Sequence, residues 1–303
     1  MPPTVIPTGV YLKLVASTAF WGGAFIAGRH LAQHMPHFLA ATGRFAVALI
    51  PLLIFARLTN NLPRLSGSQT IATLLLGATG VFAYNALFLA GLEHLPASRA
   101  ALIVALSPIM TMMAMRVLAR ERWSRARLFG VVTSLVGAAL VITRGDLAGA
   151  LSGAVGLGEL WILLAVIAWV AYTLIGRRAM QGLNATAATA WSTLWGTLML
   201  ALPAAFELAK GGIGWPSPLS WLAIVYLGVG ATAVAFVWYN QAVAAIGPAA
   251  ATLFTNLVPV FAVVFSMLLL GETLALASLL GGVMVVVGVF LANRAQAPTR
   301  NAP

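Results

Sequence analysis

Between Lys210 and Glu272 the chain carries no Asp, Glu, Lys or Arg. A soluble domain needs polar groups on the outer face of its elements, whereas a helix in a bilayer is apolar all round. The run exceeds two crossings of ~20 residues unless something breaks it; Gly247-Pro248 supplies a helix-ending signal. The remaining sequence has the same character. Over 303 residues, 61% are hydrophobic, 8% are charged and the mean hydropathy is +0.98, against about 25% charged residues in soluble chains. The sequence therefore predicts an all-α polytopic membrane protein.

Apolar runs separated by charges or Gly/Pro breaks predict ten spans, near 11–28, 38–56, 70–91, 97–118, 126–143, 158–176, 187–206, 219–244, 249–270 and 274–292. The first resembles a signal peptide in position. Lys13 alone supplies its positive region, however, and no convincing small-x-small cleavage site follows. Residues 295–303 read as a short disordered tail. An even number of spans places both termini on one side. Twelve cations fall there: Lys13, Arg57, Arg64, Arg116, Arg120, Arg122, Arg125, Arg127, Arg177, Arg178, Arg294 and Arg300. Four fall opposite (Arg29, Arg99, Arg144 and Lys210), and Arg44 lies inside span 2. The bias predicts cytoplasmic termini and absorbs the net charge of +11 without a nucleic-acid partner. Five acids, Glu93, Asp146, Glu159, Glu207 and Glu272, fall on the outer side. There is no cysteine, hence no disulfide, thiolate nucleophile or Cys-based metal site.

The two halves align with each other. At an offset of 151, Pro108, Glu121, Gly130 and Gly137 coincide with Pro259, Glu272, Gly281 and Gly288. At 148, Trp21, Gly28 and Arg29 coincide with Trp169, Gly176 and Arg177; Tyr84-Asn85 matches Tyr239-Asn240 at 155, and Pro51 matches Pro203 at 152. Drift of this size is what loop insertions produce. Two repeats, 1–147 and 148–303, then hold five spans each, and an odd number forces the second copy to insert upside down. The loop after span 4 holds Arg120, Arg122, Arg125 and Arg127, while its counterpart after span 9 holds no cation. Inverted repeats are typical of secondary transporters, with the substrate site near the midplane between copies. A receptor or assembly protein has no need of them. With both copies in one chain a monomer suffices, in contact with the lipid bilayer.

Trp21-Gly22, Gly43-Arg44-Phe45, Pro108 followed by Glu121, and Pro259 followed by Leu270-Gly271-Glu272 give the chain a resemblance to a known family over residues 10–293. It resembles the drug/metabolite transporter superfamily, EamA type, and within it the amino-acid exporters with aromatic-rich helices. The resemblance implies ten helices in two bundles around a central cavity, with helices 5 and 10 at the periphery. It also implies a bacterial inner-membrane carrier that exports amino acids, aromatic and other neutral ones, and similar metabolites.

No HExxH, GxSxG or Walker A pattern occurs, and Gly156-Leu157-Gly158 lacks the third glycine of a dinucleotide fingerprint. The chain thus reads as neither an enzyme nor an ATP-driven pump, and needs no cofactor. His30 and His34 share a helix face, but without a carboxylate beside them they read as solvated histidines, not a metal site. No Asp or Glu sits mid-span. Proton-coupled carriers often place one there, so the expectation is gradient-driven alternating access.

Arg44, ~9 Å along its helix, has two readings: an anchor for a substrate carboxylate, or a structural residue bonding to carbonyls or snorkelling outward. Arg29 and Arg177, at matching span ends, are expected to be interfacial anchors. The other binding candidates are Trp21, Phe25, Tyr84, Asn85, Phe88, Trp169, Tyr172, Tyr239, Asn240 and Asn256. Their rings would hold apolar side chains, and their amides and hydroxyls an amine or carboxylate. The stacked spacing of Trp191 and Trp195 is a weaker case. Pro108 and Pro259 are expected hinges. A nucleotide sugar or another organic anion is the rival substrate; a phosphate-bearing one favours several cations at depth.

Overall fold

The computed structural model describes residues 8–59, 62–119, 123–143, 145–146, 156–179, 183–211, 215–246 and 254–294. Arg120, Glu121, Arg122, Arg144, Gly247, Pro248 and 295–303 lie outside the described residues, as do the side chains of Arg177, Arg178, Asn240 and Arg294. Among the described residues all regular structure is helical. Eight helices are long and apolar enough to cross a membrane, and two shorter apolar ones accompany them.

In chain order the helices are α1 Thr8–His34, α2 His37–Leu58, α3 Gly67–His94, α4 Ala97–Leu118, α5 Arg125–Thr143, α6 Leu157–Ala179 and α7 Ala185–Ala209. They continue with α8 over 218–246, α9 Leu257–Leu270 and α10 Leu276–Arg294.

The shortest links fix the up-down course. Met35-Pro36 joins α1 to α2, and Leu95-Pro96 joins α3 to α4. A residue before proline is driven into the extended region, and Leu95 sits there, at φ −115 and ψ 145. The chain therefore doubles back within two residues. This defines a hairpin end, opposite the terminal end where α1 begins and α10 finishes. Polar caps start other helices: Ser66 and Gln69 form a reciprocal capping box for α3, and Ser217 caps α8 ahead of Pro218.

Lipid offers helices no hydrophobic drive to associate, so close packing of small residues carries the assembly. On α5 and α10 this is explicit. A Cβ built on Gly137 would lie 2.5 Å from the Gly281 carbonyl, and one on Gly288 2.5 Å from that of Gly130. The two backbones touch, and their principal neighbours are each other and α4. Elsewhere α1 packs on α8 and α9, α6 on α3 and α4, α2 on α8 and α7, α7 on α3, and α4 on α9. Exchanging the first five helices for the last five maps α5–α10 onto itself and these contacts of α1–α4 and α6–α9 onto one another or themselves, while the contacts of α4 with α5 and α10 have no counterpart of like extent among the described residues.

Two features depart from the sequence reading of plain α-helical spans. First, α3 and α8 each widen into a π-helical stretch, Gly77–Ala83 and Tyr226–Val234. Glycines bring these wide turns against a neighbouring backbone: a Cβ on Gly77 would lie 2.7 Å from the Ser192 carbonyl of α7, and one on Gly228 2.6 Å from the Arg44 carbonyl of α2. Second, the expected proline hinges do not lie inside continuous helix. Helix α4 breaks at Ala105-Leu106, and a turn at Thr255-Asn256 precedes α9. Each break carries a tight bond to the third residue back, Leu106 N–H to the Ile103 carbonyl at 3.0 Å and Val258 N–H to that of Thr255 at 3.1 Å. Pro108 and Pro259 follow in the first turn of the next helix, where a missing N–H costs nothing.

Candidate functional site

Trp21 of α1 meets Tyr239 of α8 with ring centroids 5.3 Å apart and an interplanar angle of 58°. Trp169 of α6 meets Tyr84 of α3 at 5.3 Å and 52°. The two pairs that the internal alignment matched thus have one geometry in both halves. Around the second pair, Tyr84 stacks on Phe88 at 5.5 Å and Trp169 on Tyr172 at 5.1 Å. Phe25 reaches Phe88 edge-on at 5.2 Å. Tyr172 presses on the wide turn of α3, where a Cβ at Gly80 would lie 2.3 Å from its ring. The first pair is held differently: the Trp21 indole N–H donates to the Ala231 carbonyl at 2.9 Å, inside the wide turn of α8.

Burial separates the candidates. Phe25, Asn85 and Phe88 are buried, while Trp21, Tyr84, Trp169, Tyr172 and Tyr239 are half-buried. Asn256 stands apart, half-buried at the start of α9, with no side-chain capping bond. Asn240 lies on α8, its side chain outside the described residues. Trp191 and Trp195 stack at 6.3 Å, on α7.

Arg44 joins the two halves. Its Nη1 donates to Asn85 Oδ1 at 3.1 Å and its Nη2 to Thr232 Oγ1 at 3.3 Å. Both acceptors are anchored in the wide turns. Asn85 Nδ2 donates to the Val81 carbonyl at 2.8 Å, and the Thr232 hydroxyl to the Leu227 carbonyl at 2.8 Å. The guanidinium lies over the Phe45 ring at 4.7 Å, and its buried Nε has no acceptor.

The five described acids are elsewhere, all near the hairpin end. Glu159 pairs with Arg99 at 2.7 Å. Glu272 accepts from the Ala97 and Ser98 backbone at 2.9 and 3.1 Å and from the Ser98 hydroxyl at 2.6 Å. Glu207 accepts from Phe38 and Leu39 N–H at 3.3 and 2.8 Å. Glu93 faces His37 at 3.4 Å, and Asp146 follows α5. Arg44 therefore has no carboxylate partner among the described residues.

Arg29, expected as an interfacial anchor, lies at the hairpin end beside Glu272. It donates to the Leu92 carbonyl at 3.0 Å and to the Leu95 carbonyl, with Nε 3.5 Å from Glu272. His30 is likewise engaged, its Nε2 lying 3.2 Å from the Ser220 hydroxyl of α8. Thr232 was missed in the sequence, being a neutral residue of a common type in a charge-free run. One signal was there: Gly77-Ala78-Thr79 recurs as Gly230-Ala231-Thr232 at an offset of 153.

Comparison with known proteins is consistent across the chain. The family described as "EamA-like transporter family" matches twice, over residues 8–143 and 156–294. The uncharacterized transporter YyaM of Bacillus subtilis is 25% identical over 94% of this chain and 93% of its own. A probable terminal-alkyne amino-acid exporter of Streptantibioticus cattleyicolor is 29% identical over 93% of this chain and 92% of its own. A probable amino-acid metabolite efflux pump of Salmonella typhimurium is 26% identical over 89% and 90%. A solved crystal structure superposes with a TM-score of 0.65 at 20% identity, covering 94% of this chain and 98% of that one; it shares the fold.

Proposed function

Because the chain belongs to the EamA-like transporter family, we propose that it exports amino acids, aromatic and other neutral ones, and similar metabolites from the cytoplasm across the bacterial inner membrane. The observation that carries this reading is the guanidinium of the half-buried Arg44, without a carboxylate partner among the described residues, reaching both wide turns. A substrate carboxylate is its natural counter-ion. The two Trp–Tyr pairs supply apolar surface for side chains.

The chain acts as two inverted repeats, 1–147 and 148–303, in ten crossings with both termini cytoplasmic. The doubled family match and the exchange symmetry of the helix pairings support this division. The excess of cations near the terminal end supports the orientation. The hairpin end is then the outer face. Alternating access rocks one repeat against the other, with hinging at the breaks ahead of Pro108 and Pro259. A monomer is sufficient.

The test is flux of labelled phenylalanine, tryptophan, threonine and methionine across proteoliposomes, with and without an imposed pH gradient. Flux should follow the amino-acid gradient and ignore pH. Strong acceleration by the pH gradient rejects uncoupled transport, and no flux of any amino acid rejects the substrate class.

A further inference from the structure

We propose that the site recognises its substrate by the carboxylate alone, bound at Arg44, and that the α-ammonium is not a recognised group; Asn85 and Thr232 are the positioning residues. This rests on the transport reading above and specifies the substrate chemistry it takes.

The guanidinium has five N–H donors. One on each Nη is committed to a neutral oxygen, of Asn85 and of Thr232, and the Nε–H has no acceptor. Nε–H and the proton of the adjacent Nη form the fork that a two-oxygen anion fills. The Asn85 and Thr232 oxygens carry no formal charge, so they hold the guanidinium in place without neutralising it. A carboxylate is the group that does both.

An ammonium finds no equivalent partner. All five described acids lie near the hairpin end; three are bound to Arg99, to the first backbone N–H groups of α2, or to those of α4, and Glu93 faces His37. An α-ammonium held beside a bound carboxylate is also close enough to Arg44 to be repelled. The surface that the Trp21–Tyr239 and Trp169–Tyr84 pairs leave open goes to the substrate's apolar side chain on the transport reading, so it is not free to hold the ammonium as a cation–π partner.

Competition against labelled phenylalanine flux in proteoliposomes separates the two groups. 3-Phenylpropionate keeps the carboxylate and lacks the amine; phenethylamine does the reverse. The expected result is inhibition by phenylpropionate within about tenfold of unlabelled phenylalanine, with phenethylamine weaker by at least about tenfold more, the worth of one charge-assisted bond. Thr232→Val should raise KM for phenylalanine and Ki for phenylpropionate by the same factor while leaving maximal flux, and Thr232→Ser should restore both. Phenylalanine flux inhibited equally by phenethylamine, or untouched by phenylpropionate, overturns the inference and leaves the transport reading standing. Thr232→Val without effect overturns the positioning role. Absence of any amino-acid flux removes the transport reading and this inference with it.

Discussion

Arg99 and Glu159 meet at 2.7 Å with only 4% and 3% of their surfaces exposed. Arg99 also donates to the carbonyls of Val141 and Ile142 at the end of α5. A buried pair of this kind loses more from the removal of one partner than from the removal of both, because the survivor keeps its charge without compensation. Glu159→Ala is therefore expected to destabilise the protein by about 3–5 kcal/mol, and Arg99→Met with Glu159→Met by clearly less. Melting of the detergent-solubilised variants checks this, and equal losses would overturn it. Neither partner could be assigned from sequence, since 59 residues separate Arg99 from Glu159 and both read as outer-loop charges. Arg44 was legible for the opposite reason: a lone cation inside an apolar span is conspicuous wherever it ends up. Its acceptors were half legible, Asn85 through rarity and Thr232 only through a short repeated tripeptide.

At the scale of the helix, the internal alignment was legible because Trp, Pro and paired Gly are distinctive enough to survive drift, and it put Trp21 with Trp169 and Tyr84 with Tyr239, the residues of the two ring pairs. It did not foresee the wide turns. Nothing in Gly77–Ala83 or Tyr226–Val234 distinguishes π from α in composition, and their glycines are set against backbones of α7 and α2 that only the tertiary fold supplies. The glycines of α5 and α10 give the sharpest test. Gly137→Leu would force its side chain into the Gly281 carbonyl and is expected to cost about 1–3 kcal/mol by overpacking. Gly67→Ala, in open space at the start of α3, serves as the neutral control. Similar melting of the two variants would refute the close contact. The prolines make a separate case. Alanine at 108 restores an N–H that an unbroken helix would pair with the Val104 carbonyl, which now accepts from the Ser107 hydroxyl at 2.6 Å. Pro108→Ala and Pro259→Ala should thus extend helix through the breaks and slow transport, and unaltered rates in both would remove the hinges.

For the whole molecule, the two ends are built differently. At the hairpin end, carboxylates from the second half engage the first: Glu207 caps α2, Glu272 caps α4 and holds Arg29, and Glu159 holds Arg99. At the terminal end, Lys13 donates to Gln241 at 2.8 Å, and Arg116 and Arg127 lie against Trp123 at 4.6 and 5.1 Å. Carboxylates set against backbone N–H groups at helix starts are charge-assisted contacts, so separating the halves at the hairpin end means giving up several of them together. Removing one cap costs about 1–2 kcal/mol, enough to move an open–closed equilibrium about 5–30-fold. The chain has no cysteine of its own, so a single introduced thiol reports cleanly. Ala100→Cys places one on α4, fully buried just beyond the Glu272 cap. A membrane-impermeant thiol reagent added outside intact cells should label it slowly, and about 5–30-fold faster when Glu272→Ala is added. Unchanged labelling would mean that the carboxylates hold a static interface, and labelling only from the cytoplasmic side would reverse the assigned orientation.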